Sequence, residues 1–110
     1  MANIFEVTDP RGYVVVCSEE IWNSHILANR PFMTGWEEEV KAAIQSPSFG
    51  VYQDANRQER QIYYRRHTGK QRYMKVVVAF FEKDSGSVVT AFPTASMKAG
   101  EKLIWTKSSS

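Results

Sequence analysis

Cysteine is almost missing from this chain. Cys17 is the only one, so no internal disulfide can form, and a thiol with no Cys or His close by makes no zinc site. It reads as a small buried strand residue in a reducing, cytoplasmic-type compartment. Histidine is equally scarce. His25 and His67 are the two present and they fall on different elements, which argues against a multi-histidine metal centre. No apolar run approaches the ~20 residues of a membrane span; the longest, residues 76–81, has the length of a strand. The N-terminus Met1-Ala2-Asn3-Ile4-Phe5-Glu6 lacks the basic and apolar regions of a secretory signal. A cytoplasmic protein without membrane contact is expected. A Gly-rich phosphate loop, G-x-S-x-G and H-E-x-x-H are all absent. Neither a metal nor another cofactor is therefore expected.

What is present supports one packed domain. The 110 residues are 43% hydrophobic and 24% charged, which excludes a collagen-like or low-complexity chain. A single domain over residues 1–107 is expected, with 108–110 as a frayed tail. Charge is unevenly divided. Residues 1–56 hold 3 basic and 8 acidic side chains, net −5, whereas the remainder holds 11 and 4, net +7. The densest basic stretch carries Arg57, Arg60, Arg65, Arg66, Lys70, Arg72 and Lys75, with Tyr63, Tyr64 and Tyr73 interleaved. Basic groups attract phosphate and aromatic rings stack on unpaired bases. A solvated basic face with ordinary sheet tyrosines is the plainer alternative.

Local patterns give the element order. Two short strands, 4–8 and 13–17, flank the turn Asp9-Pro10-Arg11-Gly12. Ser18 stands where an N-cap belongs, followed by Glu19 and Glu20, and the spacing predicts a helix over 19–29. Its stripe would hold Ile21, His25 and Ala28, with Trp22 and Ile26 beside it. Pro31 ends it near Arg30. Thr34-Gly35-Trp36-Glu37 has capping-box spacing, so a second helix should begin there, with Trp36, Val40, Ala43 and Ile44 facing inward. Strands are predicted at 49–54, 61–66, 72–81 and 87–93, joined by turn-prone connectors at 54–56, 68–70 and 83–86. Leu103-Ile104-Trp105 is a last short strand or an edge packing segment. The fold class is α+β. An N-terminal β-hairpin and two helices precede a four-stranded antiparallel β-meander, with the helices packed on one face. The other face should be open, or partly covered by the hairpin.

A set of short motifs runs in order through nearly the whole chain. They are Val7-Thr8-Asp9-Pro10-Arg11-Gly12, Trp22-x-x-His25-Ile26-Leu27, Tyr63-Tyr64-Arg65-Arg66, Tyr73-x-Lys75-Val76-Val77-Val78, Val89-Thr90-Ala91-Phe92-Pro93-Thr94 and Gly100-Glu101. The pattern resembles the phage-borne nuclease-like domains grouped with barnase, EndoU, the nuclease colicins and RelE. That resemblance implies a barnase/RelE-like fold and a metal-independent endoribonuclease, toxin-like or phage-associated, with RNA as partner and a protein inhibitor as a further one. One position departs from it. Such sequences often carry histidine before the proline after the first helix; here Arg30 precedes Pro31. Arginine does not shuttle protons near neutral pH.

Metal-free RNA cleavage needs a base for the 2′-hydroxyl, an acid for the leaving 5′-oxygen and cations on the transition state, and it passes through a 2′,3′-cyclic phosphate. His25 suits the proton work. Arg65 and Lys75 suit the phosphate, and Thr90 a hydrogen bond to it. Arg30, Tyr63, Tyr64, Arg66 and Arg72 complete the expected RNA contacts. Strand parity puts Tyr63, Arg65 and His67 on one face and Ile62, Tyr64 and Arg66 on the other. The alternative function is a non-catalytic RNA-binding or protein-interaction domain that retains the fold.

Overall fold

The computed structural model describes residues 2–66 and 72–106. The expected turn at His67 to Lys70 and the tail 108–110 lie outside them. Runs of β-branched and aromatic residues dominate the strands, and turn residues separate them. β1 (Asn3–Thr8) and β2 (Val14–Ser18) form the N-terminal hairpin. Helical structure follows, and then β3 (Gly50–Gln53), β4 (Arg60–Arg66), β5 (Tyr73–Glu82), β6 (Ser85–Thr94) and β7 (Lys102–Thr106).

The seven strands among the described residues share one sheet, in the order β1-β2-β6-β5-β4-β3-β7. The fold is α+β with a mostly antiparallel sheet. β3 to β6 are antiparallel neighbours in chain order. Two features extend the sheet beyond the four strands expected after the helices. The hairpin does not lie over the open face; it joins the sheet through β2, which runs parallel to β6 from Val14↔Ser85 to Val16↔Ser87. At the other edge β7 pairs with β3. That pairing needs glycine at position 50, where φ is +135° and a Cβ would collide with the Trp105 carbonyl.

The helices depart from expectation in detail. The Ser18 hydroxyl accepts from the Ile21 N–H at 3.1 Å and caps α1 (Glu19–Ile21). The chain then widens into a π-helical stretch, Trp22–Leu27. The wider turn shifts the inward stripe from Ile21, His25 and Ala28 to Trp22 and Ile26, which are buried, and leaves His25 and Ala28 exposed. A 3₁₀ turn at Pro31–Met33 follows. The expected capping box does not form. The Thr34 hydroxyl turns back to donate to the Pro31 carbonyl at 2.9 Å, and Gly35, at φ +88°, redirects the chain. α2 (Glu37–Gln45) therefore starts after Trp36 without a side-chain cap.

One sheet face packs under these helices. Trp22, Ile26, Met33, Val40, Ala43 and Ile44 meet Phe5, Val7, Val15, Val51, Val76 and Val78. Each fully buried aliphatic side chain contributes roughly 1.5–3 kcal/mol relative to exposure. Cys17 is fully buried in the same core, as its sequence context suggested. A second, smaller cluster lies on the opposite face: Ile62, Tyr64 and Val77, with Phe49, Tyr52, Tyr73, Val89 and Met97 packed around them.

Candidate functional site

Cross-strand register decides which predicted residues meet. Lys75 of β5 stands directly opposite Tyr64 of β4 on one side and Phe92 of β6 on the other. Directly opposed side chains share a face, so Lys75, Tyr64 and Phe92 lie together on the face away from the helices. Thr90 pairs with Val77 and joins them there, half-buried. A bulge between Val77 and Val78 lets Val89 pack on this side as well.

Arg65 and Tyr63 face the other way. The Arg65 guanidinium donates to the Ser46 carbonyl at 3.0 Å, closing the C-terminal end of α2. Tyr63 is fully buried; its hydroxyl donates to Asp9 Oδ2 at 2.8 Å and accepts from Arg11 Nη2 at 3.2 Å. Burial, and then the neighbouring Asp9 carboxylate, hold the Tyr63 phenol far above its ordinary range. Both residues thus serve the fold, and neither forms a surface with Lys75. Parity alone had separated Tyr63 and Arg65 from Tyr64 and Arg66. Only the register shows that Lys75 belongs with Tyr64.

His25 stands exposed on the π-helical stretch. Among the described residues no hydrogen bond, ion pair or ring contact joins its side chain to Arg65, Lys75 or Thr90. The four expected catalytic residues therefore do not form one linked cluster. Lys75 and Thr90 share a face, while Arg65 is committed elsewhere and His25 is unlinked to them.

The face that does assemble is centred on Tyr64, Glu101 and Lys75. The Tyr64 hydroxyl donates to Glu101 Oε1 at 2.5 Å, and the Lys75 ammonium donates to Glu101 Oε2 at 3.0 Å. The Lys98 N–H donates to the Tyr64 oxygen at 3.3 Å. Burial, and then the hydrogen bond to Glu101, push the Tyr64 phenol well above its usual value. The Glu101 side chain is only 2% exposed and that of Lys75 10%. The cover on this face is the β6–β7 connection, which carries Met97, Lys98 and Glu101, and not the hairpin.

Aromatic rings surround this centre. Phe49, Tyr73, Tyr64 and Tyr52 meet edge to face in a chain with centroid spacings of 5.8, 6.1 and 5.6 Å. Such pairs contribute roughly 0.5–1.5 kcal/mol beyond their burial. Cations lie over the outer rings. Arg66 sits 5.2 Å from the Phe49 centroid and Arg30 sits 4.4 Å from that of Phe92. Arg30 reaches Phe92 past the part of β6 that β2 leaves unpaired. Lys75 faces the same ring at 5.8 Å. Of the expected RNA contacts, Arg30, Tyr64 and Arg66 gather here. Arg72 is exposed beside the start of β5.

Glu101, Phe49, Tyr52 and Phe92 were not among the expected site residues. Glu101 carried two usable signals: it belongs to the Gly100-Glu101 motif, and it is one of 4 acidic residues after position 56, where a carboxylate in so basic a stretch invites a search for its cation. Among the described residues no group of three or more His, Cys, Asp and Glu is placed to hold a metal. No helix there is long and apolar enough to cross a membrane. Compared with known proteins, the chain matches no family model, no curated protein and no solved structure.

Proposed function

We propose that this protein binds single-stranded RNA on the sheet face opposite its helices. One observation carries the reading: half-buried aromatic rings on that face have guanidinium groups laid against them, Arg66 on Phe49 and Arg30 on Phe92. A ring offers a base a stacking partner worth roughly 1–3 kcal/mol, and the adjoining cation takes the phosphate. Helices packed on one side of an antiparallel sheet are the arrangement the barnase/RelE-like resemblance implies, and they leave the other side of β3–β6 for a ligand. Fluorescence anisotropy with a labelled single-stranded RNA tests this. Binding should weaken as salt rises, with a log–log slope near −0.7 per phosphate contacted. Arg66→Ala should weaken it while the melting temperature holds, and Phe92→Ala should weaken it with only the modest stability loss of a half-buried ring. An absence of binding at low salt and high protein concentration would reject the reading.

A second reading, metal-independent RNA cleavage, is favoured by the convergence of the Tyr64 phenol and the Lys75 ammonium on the Glu101 carboxylate, each bonded to one of its oxygens at 2.5 and 3.0 Å. These groups are of the kinds needed to accept, donate and stabilise charge around a phosphodiester. Incubation of labelled RNA with excess protein in EDTA decides it. Products ending in 2′,3′-cyclic phosphate support cleavage, and intact RNA removes it. If cleavage occurs, loss on His25→Ala would show that the exposed imidazole takes part, and full retention would place the proton transfers elsewhere.

A further inference from the structure

The Glu101 carboxylate is bound as a ligand would be. It takes one hydrogen bond from a phenol and one from an ammonium, at 2.5 and 3.0 Å, and its side chain is 2% exposed. Charge-assisted bonds to a nearly dry anion are the pattern by which proteins hold phosphate. The donors belong to adjacent central strands, whereas the acceptor belongs to a connection. That connection holds the sheet by few points. Met97 packs on Ile62, Tyr64 and Val77, the Lys98 N–H reaches the Tyr64 oxygen, and Ala95, Ser96, Lys98, Ala99 and Gly100 are exposed. Segments with so few buried contacts open locally at low cost.

We propose that Tyr64 and Lys75 form a phosphate site which Glu101 fills as a built-in competitor, so that the β6–β7 connection is a displaceable cover. The proposal rests on reading this face as the RNA surface, and it names how that surface is regulated. An RNA phosphate takes the phenol and ammonium donors, and Glu101 moves to solvent. Arg30 is placed to assist, since it and Lys75 lie against the same Phe92 ring. A phosphate must therefore outcompete an intramolecular carboxylate, which lowers the affinity of the resting protein.

Glu101→Gln tests this. The amide can still accept from Tyr64 but no longer neutralises Lys75. RNA affinity should rise on the order of tenfold at fixed salt. Labelling of Lys75 by an amine-reactive ester, read by mass spectrometry, should accelerate. Inorganic pyrophosphate should protect Lys75 in the variant at concentrations that leave the wild type unaffected. Glu101→Asp, whose shorter arm reaches less far, should lie between the two and serves if the glutamine variant fails to fold. Folded variants with unchanged or weaker RNA affinity and no pyrophosphate protection of Lys75 would overturn the proposal and leave Glu101 as a structural anchor. The two readings separate cleanly. Pyrophosphate protection without RNA binding by any form keeps the anion site and rejects RNA. RNA binding equal in all forms, without protection, does the reverse.

Discussion

Tyr63→Phe should destabilise the protein without touching RNA affinity. The hydroxyl is buried and donates 2.8 Å to Asp9 Oδ2. Asp9 also accepts from the Arg11 N–H at 2.8 Å, from Arg11 Nε and Nη2 at 3.0 and 2.7 Å, and from the Tyr13 N–H at 3.0 Å. Removing the phenol oxygen leaves those four bonds in place but deletes two, the one it donates to Asp9 and the longer one it accepts from Arg11 Nη2 at 3.2 Å; Arg11 keeps its bonds to Asp9, so the bond to the charged acceptor dominates the loss, about 1.5–3 kcal/mol. With an unfolding entropy of roughly 2.1 cal/mol/K per residue, that lowers the melting temperature by about 6–13 °C. Asp9→Ala is harsher, because it strands the Arg11 guanidinium and the Tyr63 hydroxyl in a nearly dry site. The expected cost is about 3–5 kcal/mol. In the double variant the Tyr63→Phe change should add little, since its partner is already gone. Urea melts of the four proteins measure the cycle, and anisotropy measures RNA binding alongside. A Tyr63→Phe loss below about 0.5 kcal/mol would refute the network's energetic role. A drop in RNA affinity at unchanged stability would return Tyr63 to the binding surface.

Burial pushes the Cys17 thiol from 9.0 up to about 12. Its protonated form is favoured by folding, so stability should hold below pH 9 and fall between pH 9 and about 12; thermal melts across that range should flatten in Cys17→Ala, and a thiol reagent should find native Cys17 inert. Asp54 behaves oppositely: burial alone would raise its carboxyl, but the N–H groups of Asn56 and Arg57, with the charges of Lys98 and Arg60, hold it below the ordinary range. Its contribution is present above the unfolded-state value and is lost as pH falls through the folded one, so Asp54→Asn should reduce the acid sensitivity of the melting temperature. Arg65→Ala should cost about 0.5–1.5 kcal/mol, through the Ser46 carbonyl, and leave the salt slope of RNA binding unchanged; a reduced slope would put Arg65 on the phosphate. Gly50→Ala should free β7, seen as lost hydrogen-exchange protection at Lys102–Thr106, and intact protection there would contradict the steric reading.

Local chemistry was readable in the sequence where it acts over a few residues. The turn at Asp9-Pro10-Arg11-Gly12, the Ser18 cap and the stop at Pro31 all depend on neighbours in the chain. Strand positions followed from β-branched runs and ended within two residues of their observed limits. The α2 cap misled because the hydroxyl of Thr34 had a nearer carbonyl, that of Pro31, to satisfy. The π-helical widening misplaced His25, since an inward stripe assumes 3.6 residues per turn. The site was legible only in part. Arg65 and Lys75 are both basic strand residues, and nothing local distinguishes the one closing a helix end from the one beneath the connection. Their separation depends on pairings between strands, such as Tyr64↔Lys75, that no single segment specifies.

The parallel seam between β2 and β6 has a consequence for how the chain is made. Val14 can find Ser85 only after the helices and three further strands have been synthesised. Until then the N-terminal ribbon has no sheet to join, and Phe5, Val7 and Val15 have only the helices that follow them to pack against. Closing so long a loop is entropically slow. The ribbon is therefore expected to dock last, and a nascent chain cut short before residue 85 would present a sticky, unfinished edge to whatever chaperone meets it.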